Sequence, residues 1–222
     1  LSREVSQGIG IPEKKIEETQ IRVEDVTTNS MEAYKYFLKG KEEYEKLYPD
    51  QARQSLEKAI ELDPAFALAY FYLARVQSNL RNSKEEKEAI EKSKVLSERA
   101  TEKERLYIEA RYAQVIENNS EKAFRFHKEL ADKYPKEKDA HLELGGYYNR
   151  KAMFTQGIEE WNKVLELDPN YGDALYALGY IYLNTGNFEK ALESFKRYAS
   201  IFPGDANPFD CLGELYFHMG KL

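Results

Sequence analysis

The chain has 222 residues, 42% of them hydrophobic and 32% charged, with a formal net charge of −6. That apolar content is enough to bury a core, whereas the acidic balance excludes the basic face that nucleic acid or an acidic membrane surface would want. The single cysteine, Cys211, excludes an internal disulfide, and no apolar run reaches the roughly 18 residues of a membrane span.

Residues 1–30 are polar and mixed in charge, with no secretion signal. The chain opens on Leu1 and not on Met, so the expectation is a piece of a longer protein, cytoplasmic, with 1–30 the end of an upstream domain plus a linker. Gly8-Ile9-Gly10 and Pro12 read as a break, and 13–24 as a short amphipathic helix. Gly8-Ile9-Gly10 follows no strand, so it is a turn and no dinucleotide fingerprint.

From residue 31 to 222 the chain reads as a tandem array. Setting each terminal Pro in register gives units at 33–66, 67–103, 104–137, 138–171 and 172–205, with a half unit at 206–222. Asn29-x-x-Glu32, Ser83-x-x-Glu86 and Thr101-x-x-Glu104 read as capping boxes that start helices. Asn207-Pro208 places an N-cap before a first-turn proline. Small residues recur at one position of the first helix in every unit but the third (Gly40, Ala74, Gly145, Gly179, Gly213). Large ones recur at another (Tyr36, Tyr70, Tyr107, Leu175, Phe209) and are expected to fill the space between helices. The second unit is three residues too long, and the third carries Arg111 and His127 at positions expected to be small or apolar. Irregular packing is therefore expected around 80–104.

The period comes from two matching runs. Leu144-Gly145, Tyr148, Phe154, Gly157, Trp161 and Asp168-Pro169 recur as Leu178-Gly179, Tyr182, Phe188, Ala191, Phe195 and Phe202-Pro203, each landmark 34 residues on. A fixed 34-residue period with these residues resembles the tetratricopeptide repeat (TPR). The resemblance implies an all-α fold, a right-handed α-α superhelix of stacked helix pairs, and a binding surface more than a place for chemistry. Val26–Gly40 and Leu56–Tyr70 further resemble the entry to TPR arrays of multidomain bacterial signalling proteins, where the array follows a kinase, cyclase or TolB-like domain.

In the family the leading helix of each unit lines a concave groove. Carried onto this chain, that groove holds Tyr34, Phe37, Lys41, Phe71, Arg75, Tyr112, Asn149, Arg150, Tyr176, Tyr180 and Asn184. It is rich in aromatics, which give contact area at low entropy cost. The Lys and Asn with which some TPR proteins grip a terminal carboxylate are replaced by Leu142 and Gly146, or by Tyr176 and Tyr180. A protein or peptide partner is expected. The alternative is an intramolecular arm whose groove is filled by its own N-terminal segment or an upstream domain. Leu212, Leu215 and Tyr216 place apolar surface on the last helix, and self-association through 208–219 is one way to cover it.

No catalytic set can be drawn from the spacing, so an enzyme is not expected, nor a cofactor. His127, His141 and His218 form no i,i+4 pair and have no cysteine partner. They read as core residues, not metal ligands, although His127 and His141 can approach each other between units three and four.

Overall fold

A computed structural model of the chain describes residues 28–46, 48–204 and 206–220. The upstream end, the linker's first part and the amphipathic helix expected at 13–24 lie outside the described residues. Among the described residues every regular element is helical. In chain order they are α1 Met31–Glu45, α2 Pro49–Leu62, α3 Ala67–Asn79, α4 Ser83–Leu96, a 3₁₀ turn Ser97–Arg99, α5 Glu102–Val115, α6 Ser120–Lys133, α7 Lys138–Arg150, α8 Phe154–Leu167, α9 Gly172–Asn184, α10 Phe188–Ile201 and α11 Asn207–His218. Two compact units divide within α5. The first ends at Ile108 and the second begins at Glu109.

In the first unit α1 packs on α2, α2 on α3, and α3 on α4; in the second α6 packs on α7, and each helix from α7 to α11 packs on the next. Helices α1, α8 and α10 each bury one stripe at i, i+3, i+4 spacing, whereas α3 and α9 are buried on more than one face. On α1 the stripe is Ala33, Phe37 and Gly40; on α8 it is Gly157, Trp161 and Val164; on α10 it is Ala191, Ser194, Phe195 and Tyr198.

The recurring glycines explain how closely the pairs pack. A Cβ on Gly40 would sit 2.8 Å from Leu56 Cγ. On Gly145 it would overlap the Trp161 indole, and on Gly179 the Phe195 ring. Leading helices α1, α7 and α9 thus each leave a notch for a large side chain of the trailing helix. Gly213 on α11 has no neighbour within 4 Å of that point, because no trailing helix lies over it among the described residues. Phe209, expected to fill inter-helix space, is instead 56% exposed, as is Phe217 at 66%. Leu215, expected on the open face, is fully buried against Phe195 and Cys211.

Helix starts correct three sequence expectations. Asn207 is already helical in α11, with Ala206 at the cap position and no side-chain cap. Ser30, not Asn29, caps α1 by accepting from Ala33 N–H at 3.1 Å. Asn82 precedes α4, and Ser83 is already helical. The third box holds: Glu104 N–H donates to Thr101 Oγ1 at 3.2 Å, and Thr101 N–H donates to Glu104 Oε2 at 3.0 Å. Over residues 80–104 the chain forms α4 and the start of α5, joined by the 3₁₀ turn Ser97–Arg99 that lies within the longer second unit.

The turns after α3, α7 and α9 share one conformation. Arg81, Ala152 and Gly186 have φ of 61°, 57° and 75°. In each case the next amide donates five residues back, Asn82 to Gln77, Met153 to Tyr148 and Asn187 to Tyr182. This is a Schellman closure, which favours glycine at the left-handed residue. Ala152→Gly is therefore expected to stabilise the protein by about 1 kcal/mol and Gly186→Ala to destabilise it by about the same, read from urea denaturation midpoints.

Candidate functional site

The expected groove residues separate into two groups by burial. Phe37 is 2% exposed and Phe71 is 4% exposed. Phe37 packs on Phe66 and Tyr72, with ring centroids 4.9 and 5.4 Å apart, and Phe71 packs on Tyr72 and Tyr107. Both are core residues, and their assignment to a groove lining is corrected. The following hairpin supplies aromatic rings that close over them.

What remains on the first unit is a cluster of cations lying on aromatic faces. The Arg75 guanidinium is 4.9 Å from the Tyr44 ring centroid and 5.6 Å from that of Tyr72. Lys41 Nζ is 5.7 Å from Tyr72 and 3.8 Å from Glu45. Such contacts contribute about 0.5–1 kcal/mol each where partly solvated, and they hold both cations in fixed positions. Tyr34 is half-buried and stacks on Phe37 at 6.2 Å. Tyr72 was missed because it lies one residue beyond the register position assigned to the groove; an aromatic neighbour beside Phe71 was the available signal.

On the second unit the aromatics are more open. Tyr112 is half-buried on α5. Tyr176 is 38% exposed and lies 4.8 Å from Tyr180 and 5.8 Å from Tyr198, centroid to centroid. In the register of the repeats, Tyr72 of α3 corresponds to the smaller Cys211 of α11, so no equivalent ring closes over Tyr176. Tyr180 Oη donates to Glu214 Oε2 at 2.8 Å. Burial pushes the Tyr180 phenol strongly up, and hydrogen bonding with Cys211 and Glu214 adds to it, so the hydroxyl stays protonated. Asn149 and Arg150 end α7 exposed, and Asn184 ends α9 exposed. At Gly146, one turn before Arg150, a Cβ would meet only the Arg150 guanidinium within 4 Å. That leaves a small opening in the leading-helix face, in register with Tyr180.

Among the described residues no cluster of three or more His, Cys, Asp or Glu is placed to hold a metal ion. His127 is buried on α6, and His141 bonds to Glu160 and to the Pro135 carbonyl. No helix among the described residues is long and apolar enough to cross a membrane.

Tetratricopeptide-repeat profiles match residues 55–88 and 160–193, and a second profile of the same repeat matches 36–66. The chain carries tetratricopeptide repeats. Its fold is all-α, of the TPR solenoid class. PilW, a widely conserved type IV pilus biogenesis factor, is similar with a TM-score of 0.58 at 17% identity, over 86% of this chain and 88% of that one. A thermophilic TPR protein of Thermus thermophilus gives a TM-score of 0.56 at 19% identity, over 84% and 98%. A chain of the Cut9–Hcn1 hetero-tetramer of APC/C gives 0.62 at 14% identity, over 99% of this chain and 40% of that one. At these identities the likeness is one of fold. No curated protein matches the sequence.

The burial difference between the two groups can be measured. Phe37→Ala is expected to lower stability by about 3–5 kcal/mol, and Tyr176→Ala by less than about 1 kcal/mol, in urea denaturation. Equal losses would put Tyr176 in the core.

Proposed function

We propose that this TPR chain is a protein–protein interaction module that binds a peptide or helix of a partner on its leading-helix faces. The observation that carries this reading is the Tyr176–Tyr180 pair on α9, Tyr176 exposed and Tyr180 half-buried, with Asn149 and Arg150 ending α7 and Asn184 ending α9. Two aromatic rings supply apolar contact at low entropy cost. The cation and the amides supply donors that orient a peptide backbone or a carboxylate. Gly146 leaves room for one partner side chain beside them. The cations Lys41 and Arg75, held over Tyr72 and Tyr44, give the first unit a face of the same composition. Placement of the module within a larger bacterial signalling protein is part of this proposal and rests on the resemblance of residues 26–40 and 56–70.

The test is cross-linked capture from a source lysate, comparing wild type with Tyr176→Ala/Tyr180→Ala and with Gly146→Phe. Gly146→Phe fills the opening and removes a helix-interior glycine, so it is expected to fold. Both variants are expected to lose the captured partner, whereas the exposed trailing-helix change Glu193→Ala keeps it. Undiminished capture by both groove variants would rule out this face.

A further inference from the structure

A cleft of about 420 Å³ in the second unit is lined by residues of α6, α7 and α8. His141 stands in its wall with 7% of its side chain exposed, beside Glu160 at 14%. Nδ1 of His141 lies 2.6 Å from Glu160 Oε2, and Nε2 lies 3.1 Å from the Pro135 carbonyl oxygen. A carbonyl oxygen has no proton to give. Burial alone would raise the Glu160 carboxyl, but donation from His141 and Lys163 outweighs it and leaves the group below its ordinary range. Both atoms facing the ring are therefore acceptors. A neutral imidazole carries one N–H and would turn its remaining lone pair on one of them. The geometry asks for a donor at each nitrogen, which is the imidazolium.

We propose that His141 is a proton-operated latch: as an imidazolium it ties the α6–α7 turn to α8, and loss of one proton releases one of the two ties and loosens the cleft. This inference is independent of the binding reading above. The other titratable groups lining the cleft are Lys128 and Asp132 from α6, Tyr148 from α7, and Lys163 and Glu166 from α8. Lys163 Nζ bonds the second Glu160 oxygen at 2.7 Å, so Glu160 keeps a cationic partner when the latch opens.

Donation to Glu160 raises the His141 ring above its ordinary 6.5; burial opposes this, and the Pro135 carbonyl adds to it. A group raised on folding contributes stability that is full below its unfolded value and is lost as pH rises through the folded one. Glu160, lowered from 4.5, contributes above that value and loses the contribution as pH falls through its folded one. The latch is thus closed in the interval between the two.

Nitrogen-15 NMR of the histidine rings in the full chain tests this, with His141→Gln used to assign the resonance. At about pH 6 both His141 nitrogens are expected to carry protons, with a midpoint above the ordinary value near 6.5 that moves down in Glu160→Gln. The wild-type melting temperature is expected to fall as pH rises through that midpoint, and the fall to be absent in His141→Gln. If His141→Gln does not fold, Glu160→Gln supplies both the assignment and the shift. A ring with one protonated nitrogen at about pH 6, or a midpoint at or below the ordinary value, would overturn the proposal.

Discussion

The close approach of leading helix to trailing partner in three of the hairpins is the constraint on which the rest depends. It is made there by one glycine and one large side chain. Gly40 receives Leu56, Gly145 receives Trp161 and Gly179 receives Phe195. Without a Cβ at the first residue, the second can enter the helix surface and be fully or nearly buried. The helices then lie close enough for the remaining stripe residues to meet. Since both members recur every 34 residues in the last two complete units, the same contact fixes hairpin geometry there and brings successive leading helices into register.

That register decides what the leading helices offer. Their residues fall into rows, and whether a row is core or surface depends on the next hairpin. Phe37 is covered by Phe66 and Tyr72. Tyr176, at the same register position, stays partly open. The first unit's cations are held over rings, while Arg150 and Asn149 on α7 are exposed. One repeat code thus gives two faces of related composition and different openness.

The helical class and the period were legible because glycine and aromatic landmarks carry a geometric meaning that spacing alone expresses. The Thr101–Glu104 capping box was legible for the same reason: it is a local pattern with local partners. Position rules were less informative where burial depends on a neighbour distant in sequence. Phe37 and Phe71 read as groove residues until the rings packed on them are known. His141 was read as a core histidine, which its burial supports, but its pairing with Glu160 joins two helices across 19 residues and leaves no local signature. The three surplus residues of the second unit predict less regular packing around 80–104; the helices there are regular, and a 3₁₀ turn, Ser97–Arg99, joins them.

The glycine contact is tested most directly by a double-mutant cycle at Gly179 and Phe195, with stability read from urea denaturation. Gly179→Ala alone places a methyl group where the Phe195 ring sits, and Phe195→Leu alone empties part of that space. The account predicts strong coupling: the two changes together cost about 1–3 kcal/mol less than their sum. Additivity within about 0.5 kcal/mol would show that the glycine and the ring do not share one space, and would contradict the account.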